Sequence, residues 1–222
     1  MDRFRLRPVL FIALAAILQP AVVRAEATDQ VGLQRVVVEV ESPRSTKGTL
    51  TLVEIRNGTS RVVLGPMPAH VGRNGVSAAH REGDGTTPIG TFALTSAFGM
   101  KPMSTSKLPY SRLKVGDCWI SDVDDRAYNT RVRRMSCASP NENLYRIGMA
   151  GPYRLAVVTS YNTKPIVREK GSAIFVHVNS IDSAGRVRPT SGCVSVSYAV
   201  MQRLVGLLDP AASPTLTVRV KR

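Results

Sequence analysis

The sequence predicts a mainly β fold, a sandwich or barrel-like sheet with few short helices. Three observations carry that expectation. Short β-branched, apolar stretches recur along the chain with partial alternation. Turn-forming residues separate them, most plainly at Asn57-Gly58. Only Tyr198 to Leu208 shows a convincing helical period, with Val200, Leu204, Leu207 and Leu208 on one face.

Taken in order, Val36 to Val40, Thr49 to Ile55 and Arg61 to Leu64 read as strands, with Asn57-Gly58 as the hairpin turn between the last two. Ile89 to Leu94, Arg154 to Ser160, Ala173 to Val178, Cys193 to Val196 and Thr215 to Val220 continue the pattern. The stretch from Phe98 to Tyr153, which holds the single tryptophan, Trp119, is polar with few clear strands. It reads as an elaborated loop region over a site. No internal repeat or low-complexity linker divides the chain.

The chain has 222 residues. Residues 1–25 read as a signal peptide: Arg3, Arg5 and Arg7 precede an apolar run from Val9 to Leu18, with small residues near Ala25 for cleavage. That run falls short of the roughly 20 residues a membrane span needs, so membrane attachment is expected only if the signal is retained. Residues 26–47 are expected as an N-terminal segment and 48–222 as the main domain. The formal net charge of +14 falls to +11 without the four arginines and one aspartate of residues 1–25. Such a surface favours polyanions, but export, scattered basic residues and the lack of a recognition motif argue against nucleic acid.

Three cysteines in an exported chain are an odd number. Cys118 and Cys137 bracket a polar loop and can form a disulfide, leaving Cys193 as the free thiol. A zinc site built from these cysteines with His70, His80 and His177 finds no support in Cys-x-x-Cys or His-x-x-x-His spacing.

The chemistry concentrates between Gly171 and Val196. An apolar strand carries His177 near its end, and sixteen positions on Cys193 sits in the run Pro-Thr-Ser-Gly-Cys-Val. A thiol becomes a useful nucleophile when a neighbour favours its thiolate, and imidazole is the usual partner. Two adjacent strands can hold the two within reach, while the amides of Gly192 and Cys193, with Ser191, can point at a developing oxyanion. Each residue taken singly also fits a blander role, a small buried thiol or a satisfied core histidine.

Thr190-Ser191-Gly192-Cys193-Val194 with His177 upstream resembles the active-site signature of the L,D-transpeptidase catalytic domain, the YkuD-type family of cell-wall enzymes. The segment Arg81-Glu82-Gly83-Asp84-Gly85-Thr86-Thr87-Pro88-Ile89-Gly90-Thr91-Phe92 is similar to the family's turn and Thr-Pro-x-Gly-x-Phe strand. Tyr161-Asn162-Thr163 and Leu204 to Pro210 also fit, so the resemblance covers roughly residues 48–210. Many members carry arginine two residues after the cysteine, where this chain has Ser195.

The resemblance implies an L,D-transpeptidase-like β-sandwich. It also implies a peptidoglycan L,D-transpeptidase with Cys193 as nucleophile and His177 as base. The donor would be a tetrapeptide stem cut after its diamino acid with loss of D-alanine, and the acceptor the side-chain amine of a second stem. A hydrolase acting on the same stem and a catalytically silent wall-binding domain remain the alternatives. For orienting His177, the backbone carbonyl of Ser191 is the candidate. Tyr161, Asn162, His80, Arg81 and Thr190 are expected to bind substrate, although the turn around Gly83-Asp84-Gly85 equally fits a solvated loop. No metal or organic cofactor is implied. The expected setting is outside the cytoplasm of a bacterium, and the chain is expected to work as a monomer.

Overall fold

A computed structural model describes Met1 and residues 32–221; the rest of the expected signal peptide lies outside the described residues. The expectation of a mainly β architecture holds. Eight strands form the frame: β1 (Leu33–Val40), β2 (Lys47–Arg56), β3 (Thr59–His70), β4 (Gly90–Gly99), β5 (Leu155–Thr159), β6 (Phe175–Val178), β7 (Val194–Val196) and β8 (Thr215–Val220). They pair in the order β5-β6-β7-β3-β2-β1-β8-β4, and β4 pairs again with β5, so the ring of pairings closes. Closure leaves these strands without a bare edge. Only β1–β8 and β6–β7 are parallel within the ring.

The β2–β3 turn falls at Asn57-Gly58 as expected, both residues at positive φ, the backbone a two-residue hairpin turn needs. The stretch expected as a separate N-terminal segment supplies β1, which lies between β2 and β8. The domain therefore begins before residue 48, because a strand with two paired neighbours is interior to its sheet.

Strand alternation divides the side chains between two cores. Val36, Val38, Leu50, Leu52, Leu64, Val157, Val176, Val194, Val196 and Leu216 share the larger cluster, with Val200, Met201, Leu204 and Val205 of helix α2 (Tyr198–Leu207) packed into it. This helix matches the one helical period in the sequence, and Ser197 caps its start by accepting from the Val200 amide. The opposite faces of β4 to β7 present Phe98, Ala156, Phe175 and Cys193 to a second cluster.

Residues 100–154 cover that second face. They are more ordered than expected: Asp117–Trp119 pairs with Arg131–Arg133 on one side and Glu142–Asn143 on the other, followed by helix α1 (Leu144–Ala150). The helix is a single short unit of seven residues, in which Leu144 and Ile147 give too brief a period to detect, and its visible signal is the Asn143 cap. Phe175 anchors the cover, fully buried with edge-on rings of Trp119 at 4.8 Å, Phe98 at 5.4 Å and Tyr153 at 5.6 Å. Truncating such a residue to alanine costs about 3–5 kcal/mol. Cys118 and Cys137 are joined by a disulfide, 5.8 Å between Cα atoms.

Candidate active site

The site forms where the second face of β6 and β7 meets the covering segment. In the parallel β6–β7 pair, Val176 lies beside Val194 and His177 beside Ser195. Alternation then turns Phe175, His177, Cys193 and Ser195 to one face, while the valines between them enter the larger core. His177 and Cys193, sixteen positions apart in the chain, thus reach one surface because their strands are neighbours.

The turn before Cys193 is built from Thr190. Its Oγ1 accepts from the Gly192 amide at 3.1 Å and donates to the Cys193 carbonyl at 2.6 Å. Gly192 sits at φ 153°, and a Cβ there would come within 3.1 Å of the Thr86 carbonyl, so the position favours glycine. The Gly192 amide expected in an oxyanion hole is thus engaged by Thr190.

Cys193 is the free thiol, as expected, and it is buried. Its Sγ donates to the Ala173 carbonyl at 3.1 Å and accepts from the Phe175 amide at 3.3 Å. Burial, followed by the nearby charge of Glu142, pushes the thiol well above its ordinary range. Cys193 therefore rests as a protonated thiol.

His177 is held differently from the expectation. Its Nδ1 lies 2.7 Å from the carbonyl of Val178, not against Ser191. A carbonyl only accepts, so Nδ1 carries the proton and Nε2 is the basic nitrogen. The acceptor belongs to the next residue of the same strand, so β6 orients its own histidine. Burial lowers the imidazole to about 4, and the bond to Val178 only partly offsets this. Neutral His177 is a base at neutral pH.

A cleft of about 540 Å³ opens above these residues, a size suited to small substrates. Of the expected substrate residues, His80 and Thr190 line it. Tyr161 and Asn162 stand behind the wall instead. The Tyr161 ring packs on His80 at 5.4 Å and its hydroxyl donates to the Lys170 carbonyl. Asn162 uses its amide on the carbonyls of Val167 and Gly171 and its oxygen on the Val167 amide, pinning a loop. Arg81 is exposed outside the wall. Asp84 organises the loop itself, accepting from the amides of Arg81 and Thr86 at 2.8 Å and meeting His80 Nδ1 at 3.0 Å. Gly171 lets His80 approach, since a Cβ there would fall 2.4 Å from its Nε2.

Sequence reasoning missed several wall residues, among them Arg73, Ser172, Tyr153 and Glu142. It also missed Asn129, whose Oδ1 accepts from Trp119 Nε1 and the Ala173 amide while its Nδ2 reaches the carbonyls of Tyr161 and Asn162. No local pattern marks any of them, as each acts across tens of residues. Ser195, standing where many similar sequences carry arginine, is fully buried, and its Oγ has no hydrogen-bond partner among the described residues.

Comparison with known proteins bears on this geometry. The family model for the L,D-transpeptidase catalytic domain, YkuD, matches residues 35–220. Nothing among the curated proteins matches the chain. Among solved structures, that of Bd1075 from Bdellovibrio bacteriovorus is similar at 16% identity with a TM-score of 0.44. The alignment covers 86% of this chain and 48% of that one, so the chain spans about half the length of that protein.

Proposed function

The chain belongs to the L,D-transpeptidase catalytic-domain family, and on that premise we propose that it is a peptidoglycan L,D-transpeptidase acting through Cys193. The observation that carries the reading is the placement of Cys193 and His177 on one face of adjacent parallel strands at the floor of the cleft, with His177 Nε2 left basic.

Acylation begins when Cys193 turns from the Ala173 carbonyl and passes its proton to His177. Sulfur attacks the carbonyl after the diamino acid of a tetrapeptide stem, and the C–N bond breaks as His177 protonates the departing D-alanine amine. The backbone amide of Cys193, with that of Ser191, is proposed to face the oxyanion, each good donor contributing about 3 kcal/mol. An amine acceptor then yields a cross-link, and water yields a tripeptide. The formal net charge of +11 without residues 1–25 suits a carboxylate-rich polymer. The Cys118–Cys137 disulfide suits an oxidising compartment outside the cytoplasm.

The test is incubation of the mature chain with tetrapeptide muropeptides, followed by mass. Loss of D-alanine and a thioester on Cys193 are expected, with Cys193→Ala inert. Tripeptide without dimer would assign the hydrolase reading. Wall binding with unaltered stems in both proteins would assign the silent binding domain.

A further inference from the structure

The cleft carries a pair of side chains that acylation does not use. The Tyr153 ring packs edge-on against His177, 5.3 Å between centroids. The ring shares a buried cluster with Cys193, and its hydroxyl donates to Glu142 Oε2 at 2.5 Å. Glu142 is half-buried, pairs with Trp119 across the small sheet, and lines the cleft with Cys193 and His177. Its charge opposes the first half-reaction by raising the thiol. A carboxylate that disfavours the thiolate, yet is tied beside it, needs another use.

Counting protons supplies one. In acylation the thiol proton passes through His177 to the leaving amine, the C–S bond replaces the C–N bond, and no proton is left over. Attack by water also balances: one water proton passes to His177 and on to the sulfur as the C–S bond breaks. An amine acceptor is different. A side-chain amine arrives as ammonium, since its ordinary pKa is about 10. It must shed one proton before its nitrogen can attack and a second as the amide forms. The second returns through His177 to Cys193, while the first has no acceptor in the Cys–His pair.

Resting on the acyl-transfer reading above, we propose that Glu142 binds the acceptor ammonium and takes this first proton, with Tyr153 holding the carboxylate beside the thioester. The ligand class is a primary ammonium, and neutral nucleophiles do not need the residue. The chemistry is consistent with its environment: burial, the largest cause, and the charge of Glu82 raise Glu142 to about 7, so the carboxylate form is present at neutral pH and holds a proton once it has one. The ionisable groups around it are Tyr153, Cys193 and Glu82, with His177, His80 and Arg73 on the same cleft wall. Glu82 is itself tied to the Tyr128 hydroxyl at 2.7 Å, which distinguishes it from Glu142 as the base beside sulfur.

The experiment follows a tetrapeptide-stem donor with a stem bearing a free diamino-acid amine as acceptor, from pH 6 to 10, scoring the thioester, the cross-linked dimer and the hydrolysed tripeptide by mass. Glu142→Gln should still form thioester and tripeptide, but its dimer-to-tripeptide ratio should fall at least about tenfold at pH 7. The ratio should climb back towards wild type near pH 10, where the free amine needs no base. Tyr153→Phe should lower the ratio in the same direction with the same recovery, and it carries the test if Glu142→Gln does not fold. An unchanged ratio overturns the proposal, as does a fall that high pH does not rescue, or a folded Glu142→Gln that no longer acylates. A wild type that yields only tripeptide also overturns it, while one that forms no thioester removes the acyl-transfer reading itself.

Discussion

The hydroxyl of Thr190 donates to the carbonyl of Cys193 across three residues, at 2.6 Å, while accepting the amide of the glycine between them. One side chain thereby braces the turn that leads Cys193 into its strand. The backbone around Cys193 is set by this turn and by the pairing of Val194 with Val176.

Thr190→Val removes both bonds at nearly constant volume. The rate of thioester formation should fall about 10- to 100-fold, because small misplacements of a reacting group are costly, and Thr190→Ser should recover most of it. Equal rates in all three proteins would show that the strand pairing and the Thr87 hydroxyl, which also donates to the Cys193 carbonyl at 3.1 Å, hold the turn without Thr190.

His177→Ala should slow thioester formation by about 10²- to 10⁴-fold, the range of a positioned base. In the wild type the imidazole is lowered to about 4 by burial, so base function should persist on acidification from pH 7 and fail only as pH drops through about 4. A rate that halves near pH 6.5 would place His177 in an ordinary solvated setting instead.

Glu142 and His177 impose opposite pH slopes on stability. A histidine lowered from 6.5 to about 4 is protonated first in the unfolded chain, so its contribution is full above 6.5 and about 3 kcal/mol is lost as pH falls to 4. Glu142, raised from 4.5 to about 7, holds its proton longer in the folded chain, so up to about 3 kcal/mol is lost as pH rises from 4.5 to 7. Glu142→Gln mimics the protonated acid. It should raise the melting temperature at pH 8 and leave it nearly unchanged at pH 4.5, as read by thermal unfolding at the two values. The same difference at both would remove the buried charge from this account.

The Cys118–Cys137 bridge closes a loop of 19 residues in sequence separation, a constraint of about 3 kcal/mol in the unfolded chain. Cys118 also pairs directly with Asn143, next to Glu142. The double variant Cys118→Ala, Cys137→Ala should lower denaturant stability by about that amount. Alkylation of the unreduced wild type should mark Cys193 alone, and slowly, because the thiol is buried and held protonated.

What the sequence settled by itself was local. Period-two alternation placed the strands, Asn57-Gly58 placed the hairpin, and Gly192 before Cys193 marked the turn, since each follows from the conformational limits of a few adjacent residues. The one helix with a full apolar face was legible for the same reason, whereas the short α1 was not. That Cys193 and His177 lie on adjacent strands was legible because each sits in or beside a short apolar run, and the resemblance supplied the order. Tertiary structure alone closed the ring through β4 and β5, made β1 an interior strand, turned Tyr161 and Asn162 into loop supports, and made Val178 the partner of His177. It also brought Glu142 and Tyr153 into the cleft that Cys193 and His177 line, from a segment whose polar sequence shows no period. Those contacts join residues separated along the chain by tens of positions, and their strength comes from burial and geometry that exist only once the chain has closed around them.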